Sequence, residues 1–224
     1  MIKNDDFLET LLNSLKYAFS NMSALLVGGI VFFLSLLLIG LPFFLGYITR
    51  CMKEIVKGNG VMPEWDEIGQ MFVDGIRMTG VFLVYLIVFA AIMLVPIVPL
   101  VVFGLLNVAI LTIFSTAVVA LVGTVVACAL GILFFASWII YANTGSVRKA
   151  ITARKLIEFV ASDPHRYLET LIASAAVALG GVVAMSLFVT IPWALFVICS
   201  AMTFVYAKFY QDTMKSTPHA QDWR

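Results

Sequence analysis

Three long stretches without a single Asp, Glu, Lys, Arg or His dominate this chain of 224 residues. They cover residues 17–49, 78–147 and 170–207, and they are 33, 70 and 38 residues long. A helix needs about 20 apolar residues to cross the hydrocarbon core of a bilayer, so each stretch is long enough for at least one crossing. The chain is 62% hydrophobic and 12% charged, whereas a soluble domain carries roughly 25% charged residues. An ordinary water-soluble domain is therefore excluded.

The fold predicted from these stretches is all-α, a polytopic bundle of transmembrane helices with five crossings preferred and six possible. We predict the first crossing over residues 24–47 and the second over residues 78–103, followed by a turn at 104–107. The rest of the middle stretch holds either one crossing that ends at Asn143 or two short crossings hinged near Gly123. The last stretch is predicted to hold two crossings, with a turn near Pro192.

The positive charges favour five crossings over six, because Lys and Arg collect on the cytoplasmic side of a membrane protein. Five crossings with the N-terminus outside place 12 of the 14 Lys and Arg residues on the cytoplasmic side and two outside. Six crossings with the N-terminus inside reduce this asymmetry to ten against four. The preferred arrangement predicts a multi-pass protein of the cell membrane.

The polar segments outside the crossings are predicted to lie along the membrane surface. Residues 1–23 have the i, i+3, i+4 apolar spacing of an interfacial amphipathic helix. Residues 24–212 form the bundle, with cytoplasmic interfacial segments at 49–77 and 143–169, and residues 213–224 form a C-terminal tail. The side chains expected to contact lipid headgroups or the interface are Arg50, Lys53, Trp65, Arg148, Lys149, Arg154 and Lys155.

Helix starts are expected at three places in these interfacial segments. Pro63 suits the first position of a helix because its missing N–H leaves no hydrogen bond unmade. A basic helix is predicted over residues 146–161, and the pair Asp163-Pro164 is typical of a further helix start. Small residues at a spacing of four allow close helix packing, either inside the bundle or against another protein. These residues are Gly123, Ala127 and Gly131 in one set and Ala176, Gly180 and Ala184 in the other.

One set of residues resembles a known family. The residues that carry the resemblance are Gly46, Tyr47 and Arg50, then Pro63, Trp65 and Asp66, then Asp74 and Gly75, with a similar layout through Asp163-Pro164. They are similar to a family of prokaryotic multi-spanning membrane proteins catalogued as domain of unknown function 4013. The resemblance implies a membrane-embedded helical fold and carries no activity with it.

The chemistry-bearing residues favour a non-catalytic role. The predicted crossings contain no charged side chain or His, and ion-coupling sites depend on such groups. The three cysteines have neither zinc nor disulfide spacing, and a net charge of +1 gives no sign of nucleic-acid binding. The best enzyme constellation combines an acidic group with His165, but it includes no nucleophile motif or phosphate-binding loop. That acidic group consists of Glu64, Asp66, Glu67 and Asp74.

We therefore expect an integral membrane protein that acts as a scaffold, anchor or accessory subunit, without cofactor, metal or catalytic residues. Its expected partners are membrane lipids and another membrane protein or a second copy of the chain. The alternatives are a channel or carrier for a small solute and, less favoured, a membrane enzyme with a site on the cytoplasmic face. A solute route would have to use the neutral polar residues of the crossings, whose simpler role is to bond to backbone carbonyls. These residues are Asn107, Thr112, Ser115, Thr116, Thr124, Ser137 and Ser186.

Overall fold

The computed structural model describes residues 4–35, 39–184 and 191–216. It confirms the all-α class, because the described residues form helices joined by short connections and include no strand. The helices are α1 (Asn4–Ala18), α2 (Met22–Ser35), α3 (Leu41–Lys57), α4 (Ile68–Leu105), α5 (Ala109–Thr144), α6 (Val147–Ala150), α7 (Ala153–Ser162), α8 (Pro164–Ala184) and α9 (Ile191–Ser216).

The predicted first crossing at 24–47 is wrong, because α2 and α3 are separate helices that run antiparallel. Near the reversal, the Gly40 N–H donates to the Leu34 carbonyl, and the Phe32 and Phe44 rings lie 5.0 Å apart. At the other end, the indole N–H of Trp65, which follows α3, donates to the carbonyl of Ala24 in α2. The chain therefore reverses its direction within this apolar stretch. Hydropathy alone does not reveal a reversal inside an apolar run.

Helices α4 and α5 form a long antiparallel hairpin. The turn between them is confirmed at 106–107, where Asn107 has a φ of 55°. Each helix is continuous, so Gly123 is not a hinge and α5 is a single candidate span. Helix α4 begins at Ile68, and the predicted start at Pro63 is wrong because residues 61–67 are held in a non-helical conformation against α3. At about 1.5 Å per residue the two helices are about 57 and 54 Å long, well beyond a hydrocarbon core of about 30 Å.

The later segments differ from prediction in detail. The basic helix predicted over 146–161 is broken between α6 and α7. The helix start at Asp163-Pro164 is confirmed, since the Asp163 carboxylate accepts from the Arg166 N–H at 3.1 Å. Pro192 is the second residue of α9, and the turn predicted near it falls largely in residues 185–190, outside the described residues. Helix α9 continues to Ser216, four residues into the predicted tail, and residues 217–224 also lie outside the described part.

Three of the described helices are long and apolar enough to span a membrane: Ile68–Leu105, Ala109–Thr144 and Ile191–Met214. A fourth candidate combines Phe7–Ala18 with Met22–Ser35, which are bent by 82° relative to each other. The preferred count of five crossings exceeds this number, because residues 24–47 do not form one continuous helix and α8 is not among these candidates. The main core lies where α3, α9 and the neighbouring ends of α4 and α5 meet, and it is rich in buried aromatic side chains.

Candidate functional site at the contact between helices α3 and α4

Two glycines allow α3 and α4 to approach until their backbones touch. A Cβ added to Gly46 of α3 would lie 1.8 Å from the carbonyl oxygen of Met71 in α4. A Cβ added to Gly75 of α4 would lie 1.6 Å from the carbonyl oxygen of Pro42 in α3. Both clashes are with backbone atoms, which a side-chain rotation cannot relieve. Only glycine fits at these two positions, and the close approach fixes the relative register of the two helices.

The segment of residues 58–67 folds back over α3 and is held there by aromatic side chains. Gly58 ends α3 with a φ of 101°, a left-handed conformation that glycine adopts without strain. Tyr47 of α3 stacks on Trp65 with ring centroids 4.0 Å apart, and its hydroxyl donates to the Pro63 carbonyl at 2.8 Å. The Trp65 indole N–H donates at 3.0 Å to the carbonyl of Ala24. One aromatic pair therefore joins α2, α3 and the 58–67 segment.

Arg50 holds the end of the same segment. Its guanidinium pairs with the Asp66 carboxylate, lies 3.7 Å from a Glu67 carboxylate oxygen and donates to the backbone carbonyl of Glu64 at 3.4 Å. This cation lowers the pKa of the Asp66 carboxyl below its ordinary value. Glu67 has a φ of 41° directly before α4, a strained conformation for a residue with a side chain. The contacts of Arg50 hold the chain in this turn.

Asp74 is the buried polar centre of the site. Its side chain is 10% exposed, and its two carboxylate oxygens accept hydrogen bonds from the Lys53 ammonium at 2.6 Å and the Tyr141 hydroxyl at 2.8 Å. A buried carboxylate is costly unless it is paired and hydrogen-bonded. Nearby, the Trp138 indole N–H donates to the Thr49 hydroxyl at 2.8 Å. These two contacts tie the end of α5 to α3 and α4.

A cavity of about 530 Å³ lies beside this cluster, between α3, the 58–67 segment and the start of α4. Its lining carries both signs of charge, from residues that include Arg50, Lys53, Glu54 and Asp74. Lys57 donates to the Glu54 carboxylate at 2.6 Å and lowers the pKa of that carboxyl. No group of three or more His, Cys, Asp or Glu side chains in the described part of the chain is arranged to hold a metal ion. The charges mostly neutralise one another and anchor the backbone.

His165, the predicted companion of the acidic group, lies in a different place. It lines a second cavity of about 790 Å³ between α1, α8 and α9, and its Nδ1 is 3.4 Å from a carboxylate oxygen of Glu169. None of the four acidic residues of the enzyme constellation lines that cavity. The structure therefore separates the two halves of this constellation.

The predicted headgroup residues fall into two groups. Arg50, Lys53 and Trp65 are used inside the α3–α4 site, so their polar atoms bond to the protein. The other four lie on α6 and α7, and their contact with lipid headgroups stays a prediction. Arg148 is exposed, Lys149 and Lys155 are half-buried, and Arg154 is exposed and paired with Glu158 at 2.8 Å.

The predicted packing residues are similarly divided. Gly123 faces Met93 of α4, with 3.3 Å between an added Cβ and the Met93 methyl group, whereas Ala127 is exposed and Gly131 has open space beside it. In α8 the close contact is one residue away from the predicted stripe. Gly181 meets Ile198 of α9, with 2.1 Å from an added Cβ, while Gly180 faces open space. Ala176 is half-buried, and the side chain of Ala184 lies outside the described part.

Sequence reasoning missed the partners of Asp74. Asp74 and Lys53 are 21 residues apart and Tyr141 is a further 67 residues along the chain, so no local pattern connects them. The signal that was present is the set of residues behind the family resemblance: Gly46, Tyr47, Arg50, Pro63, Trp65, Asp66, Asp74 and Gly75 all take part in this one site.

The helices and their apolar surface define a membrane-like helical protein with an ion-paired cluster at the α3–α4 contact. The chain belongs to the DUF4013 family, a protein family of unknown function whose model matches residues 30–191. This confirms the resemblance found in the sequence. Neither a curated protein nor a solved structure matches the chain.

Proposed function

We propose that this chain is a non-catalytic integral membrane protein that acts as a scaffold, anchor or accessory subunit of a membrane assembly. The supporting observation is the α4–α5 hairpin, whose outer part exposes large apolar side chains. No residue in the most apolar 18-residue stretch of α5 is buried, and only 11% of the matching stretch of α4 is. Val95 is 76% exposed and Ile110 is 81% exposed. Such a hairpin must be covered by lipid, by partner helices or by both.

The pairing in the α3–α4 site favours a structural role over catalysis. Arg50 with Asp66, and Lys53 with Asp74, are ion pairs that hold the 58–67 segment and the three helices in place. A general acid or base needs a group free to exchange a proton with a substrate. These four groups are bonded to the protein, so the simplest role of the site is to hold the start of α4 and the end of α5 against α3.

The polar residues of α5 favour a scaffold over a solute route. The hydroxyls of Thr112, Thr116 and Thr124 each donate to the backbone carbonyl four residues earlier in the chain. Ser137 donates to the Ala150 carbonyl and bonds to Tyr85. These bonds use the donors that a neutral solute would need along its path.

The test is site-specific photo-cross-linking in native membranes. A photoreactive amino acid placed at Val95 or at Ile110 should give adducts of discrete, reproducible mass with a second polypeptide. The matched control is the same amino acid at Met78 of α4, the helix that also carries Val95. Met78 is fully buried and should give no such adduct.

Two results would contradict the proposal. One is a chain that forms only lipid adducts and, when purified, carries a small solute across liposome membranes, which would indicate the channel or carrier. The other is a turnover that is lost on Asp66→Asn while the circular dichroism spectrum is unchanged, which would indicate the enzyme.

A further inference from the structure

The cavity of about 790 Å³ lies where α1, α8 and α9 pack together. An apolar cluster that contains Ala18, Val177 and Ala201 joins the three helices. The lining of the cavity begins one helical turn from this cluster, at Ala173 of α8 and Val205 of α9, and continues to the charged ends of these two helices. Its volume is within the range of about 300–1,000 Å³ that is usual for small-molecule sites.

This cavity coincides with a boundary between charged and apolar sequence. Glu169 is the last charged residue before the third charge-free stretch, and Lys208 is the first one after it. Both residues line the cavity, and α9, which carries Lys208, includes one of the candidate spans. Charged side chains are rare inside the hydrocarbon region of a membrane. We therefore expect this boundary, and the cavity with it, to lie at the level of the lipid headgroups.

The lining offers charges of both signs. Its described residues include two cations, Arg166 on α8 and Lys208 on α9. They also include three carboxylates, one from each helix, which are those of Glu9, Glu169 and Asp212. Two cations suit a phosphate, which Arg in particular binds through two parallel hydrogen bonds. Three carboxylates suit an ammonium, which donates three hydrogen bonds. A ligand with only a negative charge would match only part of this lining.

The ion pairs around this cavity are longer than those of the α3–α4 site. They are Arg166–Asp163 at 3.6 Å, His165–Glu169 at 3.4 Å and Lys208–Asp212 at 3.6 Å. Charge-assisted hydrogen bonds are about 2.7–2.9 Å long, and the Lys53–Asp74 contact is 2.6 Å. The basic side chain of each long pair is at least 44% exposed, and exposed pairs on one helix are weak. These charges can therefore turn to a ligand at small cost.

Exposed apolar side chains flank the lining on two of the three helices. On α1, Leu8 and Leu12 are each 56% exposed, and on α8 Leu168 and Ile172 are 55% and 47% exposed. Each of these four residues is next in sequence to a residue of the lining. A ligand whose charged group occupies the cavity therefore has an apolar surface beside it, which suits a molecule with a charged head and an apolar tail.

We propose that this cavity binds the headgroup of a glycerophospholipid and that the headgroup is phosphoethanolamine. Arg166 and Lys208 bind the phosphate. The ammonium donates hydrogen bonds to the carboxylates of Glu9, Glu169 and Asp212, and the acyl chains lie on the apolar side chains beside the lining. A choline headgroup has the same charges but no N–H to donate, and a glycerol headgroup has no cation. Both leave the carboxylates without hydrogen bonds.

The first experiment measures the headgroup preference by native mass spectrometry. The full chain is purified in a mild detergent, freed of lipid and titrated with phosphatidylethanolamine, phosphatidylcholine and phosphatidylglycerol that share the same acyl chains. We expect one equivalent of phosphatidylethanolamine to bind with a dissociation constant at least about tenfold below those of the other two lipids. Equal affinities for the three lipids would overturn the proposal.

A second titration identifies the source of the headgroup. Glycerophosphoethanolamine carries the same phosphate and ammonium but no acyl chain. We expect it to bind at least about tenfold more weakly than the lipid, because it cannot cover the apolar side chains beside the lining. Equal affinity would contradict the assignment to a lipid and would indicate a soluble phosphoethanolamine compound.

Matched variants locate the bound lipid. Arg166→Gln removes a cation of the lining and should weaken the binding of all three lipids by about tenfold. Glu169→Gln removes a charged acceptor and should reduce the preference for phosphatidylethanolamine over phosphatidylcholine. The controls are Arg154→Gln and Glu158→Gln, which make the same changes in an exposed ion pair on α7. Neither control residue lines the cavity, so both variants should bind the lipids as the unsubstituted chain does.

Circular dichroism shows whether each variant keeps its helices. Lys208→Gln repeats the test at the other cation, so that the outcome does not depend on the folding of Arg166→Gln. If folded variants of the lining bind phosphatidylethanolamine as tightly as the unsubstituted chain, the lipid is held elsewhere and the proposal fails. Equal losses in the lining variants and in the two controls would overturn it as well.

Discussion

Replacement of Gly75 by alanine should loosen the contact between α3 and α4. The added methyl carbon would lie 1.6 Å from the Pro42 carbonyl oxygen, and real contacts of this kind essentially never fall below 3.0 Å. The two helices must therefore move apart by at least about 1.4 Å along that direction. The obstacle is a backbone atom near the start of α3, so the movement involves the helix as a whole.

The expected loss of stability can be worked from three effects. Overpacking of this kind costs about 1–3 kcal/mol. A shift of this size also weakens the buried bonds that Asp74 makes with Lys53 and Tyr141, which are 2.6 and 2.8 Å long, at a cost of about 1–3 kcal/mol. Alanine offsets about 1 kcal/mol because it is the better helix former. Together these effects predict a decrease of about 1–5 kcal/mol in the free energy of unfolding.

The measurement is unfolding by sodium dodecyl sulfate in mixed micelles, followed by circular dichroism. Gly80→Ala is the matched control, because Gly80 lies on the same helix and an added Cβ meets nothing within 4 Å. This control should be neutral or more stable by up to about 1 kcal/mol. If Gly75→Ala unfolds at the same detergent fraction as Gly80→Ala, the close backbone contact does not hold the site together and the reasoning fails.

Three further predictions concern the polar contacts of the site. Asp74→Asn leaves the Lys53 ammonium without its counter-charge and should lower the free energy of unfolding by about 1–3 kcal/mol. In a double-mutant cycle, the double variant Lys53→Met with Asp74→Leu should lose less stability than the sum of the losses in Lys53→Met alone and Asp74→Leu alone. Tyr47→Phe removes the hydroxyl bond to the 58–67 segment and should cost about 0.5–1.5 kcal/mol, measured in the same unfolding assay. Because Arg50 lowers the folded-state pKa of Asp66, their attraction stabilises the segment above the ordinary pKa near 4 and is lost as pH falls through the lowered folded value. Acidification to about pH 3 should therefore increase proteolysis of the segment, with a smaller step in Asp66→Asn.

The sequence predictions were correct where a feature depends on residues close together in the chain, and they were wrong where it depends on contacts between distant residues. The helical class depends on hydrophobic length, and the turn after α4 and the start of α8 depend on neighbouring residues, so these were predicted correctly. The start of α4 was predicted five residues too early. Pro63 has local features of a helix start, but its carbonyl bonds to Tyr47, 16 residues earlier, and the chain around it is held against α3.

The sequence by itself determined that this chain is helical and apolar, and it placed the charges in four separate stretches. Burial of apolar area and the need to satisfy backbone groups inside each helix are sufficient for that much. Only the tertiary structure decided that residues 24–47 turn back and that Asp74 meets Lys53 and Tyr141. The physical reason is that an apolar stretch has the same hydropathy whether the chain continues through it as one helix or reverses within it. Which of these occurs depends on backbone contacts such as those of Gly46 and Gly75 with distant segments.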